Sequence, residues 1–140
     1  MTTYFYLSPH PCQLDETAFL GQCRIEFTRR GGPGGQHRNK VESAVVLTHA
    51  PTEILAEANE RRDQSQNRRV ALGRLRRQLS WLVRSVPVSE SANLGEPATL
   101  QFSSIWRSRC IDRTADVSPE HWDYPALVAE ALDQVVASGW

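Results

Sequence analysis

The 140-residue sequence predicts an α+β fold: a small, mostly antiparallel β-sheet packed against one long amphipathic helix, with a Gly-rich loop projecting from the sheet and a further helix near the C-terminus. Three stretches carry that prediction. Residues 23–28 alternate apolar and polar side chains, the period of a half-buried strand. Residues 43–49 are apolar and rich in β-branched side chains, and residues 54–58 return after the turn Ala50-Pro51-Thr52-Glu53, so the two form a hairpin. Between 64 and 84 there is no proline and only one glycine, while Val70, Leu72, Leu75, Leu79, Leu82 and Val83 recur at the spacing of a helical stripe. Such a stripe must be covered, and one face of the small sheet is the natural cover.

The remaining elements follow in chain order. Residues 1–14 are Pro-rich and polar without a period, and read as an irregular lead-in. Asp15 is placed to cap a short helix over 15–20 that Gly21 ends, which makes 1–22 a lead-in with one helical piece. Residues 23–84 form the central domain. Residues 85–140 are a linker and an acidic C-terminal segment, with a short strand expected over 99–105. Asp123 as cap and Pro125 in the first turn start a terminal helix that runs to Ser138 and stops at Gly139. Leu127, Ala131, Leu132, Val135 and Val136 supply its apolar face.

Composition narrows the class. A hydrophobic share of 40% and a charged share of 23% suit one soluble globular domain with an appendage. No apolar run reaches the roughly 18–20 residues of a membrane span, and residues 1–7 lack a basic leader, so no membrane association and a cytoplasmic address are expected. Cys12, Cys23 and Cys110 form an odd set without CxxC spacing, and no histidine lies at ligand spacing from them. Neither a disulfide framework, a metal nor a cofactor is expected. The net charge of zero hides an asymmetry. Residues 24–84 carry thirteen Lys and Arg against six Asp and Glu, whereas 85–140 carry three against eight. A basic body of this kind suits a nucleic-acid partner, although a charged helix face can equally be turned to water.

The chemistry concentrates in Arg29-Arg30-Gly31-Gly32-Pro33-Gly34-Gly35-Gln36-His37-Arg38-Asn39-Lys40. Glycines at this density reach backbone conformations closed to other residues and permit close approach of another molecule. Their unobstructed N–H groups can hold an anion or a developing oxyanion. A flexible spacer is the simplest alternative for a Gly-rich run, but arginines before it and Gln-His-Arg-Asn-Lys after it are not needed in a spacer. The spacing matches neither GxxxxGK[ST] nor a GxGxxG between strand and helix.

This loop, with Ser43-Ala44-Val45, the His49-x-Pro51-Thr52 turn and Arg62-x-Gln64-x-x-Asn67 followed by Ala71-Leu72, resembles the catalytic domain of class I peptide-chain release factors. It resembles equally the small codon-independent members of that superfamily, which rescue stalled ribosomes. The resemblance covers about residues 23–84 in four ordered blocks. It implies that the loop enters the peptidyl transferase centre of the large ribosomal subunit, against 23S-type rRNA. There it would promote attack of water on the ester of peptidyl-tRNA. Gly34 and Gly35 would give the loop its active conformation. The N–H of Gln36 would stabilise the transition state, and its side chain would admit water while excluding larger nucleophiles. No residue supplies a general base, which fits catalysis by positioning and oxyanion stabilisation. Gln36 is also the family's methylation site, so a glutamine methyltransferase is an implied partner. Arg29, Arg30, His37, Arg38 and Lys40, with Arg62, Gln64, Asn67 and Arg68 at the start of the long helix, are the candidate RNA contacts. Gln64 and Asn67 are equally open to helix capping or core hydrogen bonding, and Arg74, Arg76 and Arg77 read as a solvated face. The chain is expected to act as a monomer.

The sequence departs from the family pattern in places. Glu53 stands where Gly usually follows Pro-Thr, and Asp63 where Ser precedes Gln64. The 22 residues ahead of the central domain are too few for a codon-reading domain, so codon-independent hydrolysis is expected. The acidic segment after residue 84 does not suit the Lys/Arg-rich tail of known rescue hydrolases, which leaves targeting open. A non-catalytic ribosome- or RNA-binding module that keeps the loop is the other reading.

Overall fold

A computed structural model describes residues 4–29, 43–85, 102–112 and 114–137. The chain divides into two compact units, one continuous over 15–78 and one built from 1–14 together with 79–140. The expected α+β character is present: a small antiparallel sheet, a long helix and a C-terminal helix.

The continuous unit begins with α1 (Glu16–Gly21), capped as expected by Asp15, whose carboxylate accepts from the Ala18 N–H at 2.8 Å. Next come β2 (Cys23–Thr28), β3 (Ala44–His49) and β4 (Ile54–Ala58) in the antiparallel order β2-β3-β4. The register runs without a bulge from Thr28 opposite Ala44 to Cys23 opposite His49, then from Val45 opposite Ala58 to His49 opposite Ile54. β3 is the central strand and is buried at Ala44, Val45, Leu47 and His49, as its apolar sequence requires. The β3–β4 turn puts Glu53 in the left-handed region at φ 56°, which is where a glycine would be at ease. The long helix α2 (Gln64–Leu82) starts behind Asp63, whose carboxylate accepts from the Ser65 N–H and hydroxyl at 2.9 and 2.8 Å. It buries Ala71, Leu72 and Leu75.

Two details of α2 differ from the sequence reading. Arg76 is not on a solvated face but is 2% exposed, with its guanidinium 5.9 Å from the centre of the fully buried Phe19 ring. The ring offers the cation a π-face. Phe19 also stacks on His49, centroids 6.0 Å apart. The second difference is the end of the helix. Helical periodicity carries through residue 84, yet α2 stops at Leu82 and β5 (Val83–Ser85) follows at once.

The reason lies in the discontinuous unit. Phe5–Leu7, within the stretch read as irregular, form β1 and pair in parallel with β5, Phe5 opposite Val83 and Leu7 opposite Ser85. The buried Arg84 donates to the carbonyls of Ser80 and Val83 at 3.1 and 2.6 Å and to that of Trp81, so its side chain satisfies the carbonyls freed where the helix ends. Its guanidinium lies 5.2 Å from the Tyr4 ring centre and 3.8 Å from Asp133. Asp133 belongs to α4 (Tyr124–Ala137), which forms close to where Pro125 and Gly139 placed it and buries Pro125, Ala126, Leu127, Ala129 and Glu130. Residues 104 and 105, expected in a strand, instead open α3 (Ser104–Arg109), because Ser103 caps it and is itself held through its N–H and hydroxyl by the Glu130 carboxylate at 2.7 and 2.6 Å. Two-residue strands β6 (Cys110–Ile111) and β7 (Thr114–Ala115) pair between α3 and α4.

Candidate functional site

The segment that carries the candidate chemistry joins the paired ends of β2 and β3. Thr28 and Ala44 face each other as the last pair of the ladder, so the intervening residues leave and re-enter the sheet at neighbouring positions. Arg30, Gly34, Gly35, Gln36, His37, Arg38 and Lys40, and the projection of their loop, lie outside the described residues. Arg29, directly after β2, is described and exposed.

The four candidates on the adjoining helix divide sharply. Arg62, Gln64 and Arg68 are exposed at the start of α2. Asn67 is fully buried. Its amide nitrogen donates to the Ser43 carbonyl at 2.6 Å and to the Arg61 carbonyl at 2.9 Å, while its amide oxygen accepts from the Arg61 N–H at 2.9 Å. Both donors of the amide and one acceptor position are thus committed to backbone. Ser43 is the residue through which the chain returns to β3. Sequence spacing left Asn67 open between contact and core; burial and these three bonds give it a core position beside the loop root.

The far end of the same hairpin is fixed by a second polar group. His49 is fully buried between β2 and the turn, with Nδ1 2.8 Å from the Thr52 hydroxyl and Nε2 3.2 Å from the Gln22 side-chain oxygen. An amide oxygen can only accept, so Nε2 carries the proton and Nδ1 accepts from Thr52. Burial pushes the His49 imidazole below its ordinary value of 6.5, which keeps it neutral. Burial likewise pushes the half-buried Cys23 thiol up to about 11, so it is no nucleophile at neutral pH.

Two ion pairs of the unit are turned outward. Arg24 pairs with Glu53, and Arg74 reaches both the Glu60 carboxylate and the Glu57 carbonyl. Among the described residues no group of three or more His, Cys, Asp and Glu gathers into a metal site, and no helix is long and apolar enough to cross a membrane.

Residues 20–109, more than half of the chain, match the model of the RF-1 domain. The chain belongs to the RF-1 domain family. Among its relatives, peptide chain release factor 2 of Clostridium perfringens is 50% identical over 56 residues, covering 40% of this chain and 16% of the relative. Peptide chain release factor 2 of Campylobacter jejuni is 38% identical over 85 residues, covering 61% of this chain and 23% of the relative. Peptide chain release factor 1 of Ureaplasma parvum is 37% identical over 86 residues, covering 61% and 24%. The chain therefore spans less than a quarter of the length of these relatives. The RF-1 match takes in the whole β2-β3-β4 sheet and α2, and with them both strands that root the Gly-Gly-Gln segment.

Proposed function

We propose that this chain hydrolyses the ester of peptidyl-tRNA in the peptidyl transferase centre of the large ribosomal subunit, without reading a codon, and so frees peptides from stalled ribosomes. The observation that carries this reading is an intact Gly34-Gly35-Gln36 triplet strung between paired strand ends in a chain of the RF-1 domain family. Water attacks the ester carbonyl carbon, the carbonyl oxygen takes up the negative charge, and the ribose oxygen leaves with a proton as the peptide acid forms. Gly34 and Gly35 shape the backbone, the Gln36 N–H stabilises the developing charge, and the Gln36 side chain selects water. Arg29, Arg30, His37, Arg38 and Lys40 are assigned to rRNA and acceptor-stem phosphates, as are the exposed Arg62, Gln64 and Arg68; each phosphate neutralised adds about 0.7–0.9 to the salt slope of binding.

Codon independence is part of the proposal. Hydrolysis by positioned water calls for no cofactor. The site of action is the cytoplasm, the chain acts as a monomer, and a glutamine methyltransferase modifying Gln36 is a further partner.

The test is release of labelled peptide from ribosome complexes that hold peptidyl-tRNA and no stop codon. The wild-type chain should release peptide, and Gly35→Ala and Gln36→Ala should each lower the rate by about 100- to 1000-fold. Absence of release by the wild type, or variants as fast as the wild type, overturns the reading. Retained ribosome binding in that outcome favours a non-catalytic binding module.

A further inference from the structure

We infer that Asn67 is a positioning residue for the Gly-Gly-Gln segment, acting through the backbone at Ser43 rather than by touching RNA; this rests on the hydrolytic reading above. A loop whose two ends leave adjacent strands has two roots. The first, Thr28, is held by the β2–β3 ladder opposite Ala44. The second, Ser43, lies one residue beyond the last ladder pair, so no strand pairing holds its carbonyl. Asn67 does so from α2, through the 2.6 Å bond.

The geometry makes this more than a capping contact. The same side-chain amide binds both backbone polar groups of Arg61, accepting from its N–H and donating to its carbonyl at 2.9 Å each. The strand root, the segment leading into α2 and the first turn of α2 therefore share one planar group. Asn67 itself is one turn inside the helix, its N–H bonded to the Asp63 carbonyl at 3.1 Å. A buried amide with its donors committed cannot swing without leaving carbonyls unpaired, which makes the joint stiff. Arg62 and Arg68, next in sequence to Arg61 and Asn67 of the joint, are exposed, so candidate RNA contacts and the root of the loop adjoin one joint.

Stiffness at a root matters because catalysis by positioning is steep in distance: a misplacement of about 1 Å can cost about 100-fold. Two variants separate positioning from mere stability. Asn67→Asp keeps the shape and the acceptor for Arg61 but loses the donors to Ser43 and Arg61, and Asn67→Ala removes all three bonds. Leu75→Ala, a buried apolar truncation on the same helix, serves as a control of lowered stability.

With each full chain held well below its melting midpoint, peptide release is followed across protein concentration. Both Asn67 variants should lower the saturating rate by about 10- to 100-fold while the half-saturating concentration changes less than about twofold. Leu75→Ala should lower the midpoint and leave the saturating rate within about twofold. A loss carried mainly by the half-saturating concentration overturns the positioning role, because it would make Asn67 a binding residue. So does a rate loss in Leu75→Ala matching that of the Asn67 variants. Amide exchange without ribosomes reads the joint independently. Asn67→Asp should speed exchange at residues 43 and 44 but not at 47 and 49, and uniform or unchanged exchange overturns the anchor. If the wild-type chain releases no peptide, the hydrolytic reading fails and the positioning role fails with it, while accelerated exchange would still show the anchor to exist.

Discussion

Residues 15–78 carry twelve Lys and Arg against eight Asp and Glu, whereas residues 1–14 with 79–140 carry four against eight. The basic unit is one uninterrupted stretch in which each strand meets the next across a turn or loop. The acidic unit joins two chain segments, since β1 pairs with β5. Polar burial differs in the same way. The basic unit buries the neutral Asn67 and His49, hydrogen-bonded to backbone and side chains, and one cation, Arg76, set against the Phe19 ring. The acidic unit buries charges, Arg84 and Glu130, each tied to a distant element. The lesson is that the loop-bearing sheet is held at both ends by neutral hydrogen bonds, whereas the contacts that close the acidic unit include charged groups whose loss leaves partners stranded.

This contrast can be broken first at Arg84. Arg84→Ala removes the donors to three carbonyls and leaves Asp133 without its cation, and should cost about 3–5 kcal/mol. Arg74→Ala removes only an exposed pair and a carbonyl contact and should cost about 0.5–1 kcal/mol. Denaturant titration reads both, and all four tryptophans lie in the acidic unit, so their fluorescence follows Arg84→Ala directly. Equal losses would remove the distinction.

Acid should act on the two units in opposite senses. His49 is held below 6.5, so its contribution is complete above that pH and is lost as pH falls through the window beneath it, when the unfolded chain takes up the proton more readily. Asp133 is raised above 3.8, chiefly by burial and against the Ser85 bonds and Arg84, so protonation favours its folded state as pH falls toward 3.8. Stability read by amide exchange in β3 should fall as pH drops below 6.5 in the wild type and flatten in His49→Gln. A wild-type profile already flat would disprove the neutral buried imidazole.

The smallest effects sharpen the basic unit alone. Gly73 lies inside α2 with nothing within 4 Å of an added Cβ, so Gly73→Ala should stabilise by about 0.5–1 kcal/mol. Glu53→Gly should relieve a left-handed backbone at the cost of the exposed Arg24 pair and raise stability by up to about 1 kcal/mol. Thermal midpoints that fall in either variant would contradict these assignments.

Much of the basic unit was legible in the chain. Alternation at 23–28, β-branching at 43–49 and the Pro-Thr turn each declare local structure, and β2, β3 and β4 form where those signals lie. The capping residue Asp15 was legible because a cap acts within a few residues of itself. Arg76 was not: an arginine in a helical sequence announces charge, and only the position of Phe19 on α1 turns it into a buried side chain. β1 was missed because three residues with no period mean nothing until β5 lies beside them. α3 was missed for a similar reason, since Ser103 caps it only while Glu130 holds it.

By itself the sequence determined the hairpin, the long helix, the charge asymmetry and the Gly-Gly-Gln segment with its basic flanks, because each is written in residues adjacent in the chain. Tertiary structure decided the end of α2 and the burial of Arg76, Arg84 and Asn67. Each of these depends on which distant group stands within hydrogen-bonding or packing distance, and spacing along the chain does not encode that.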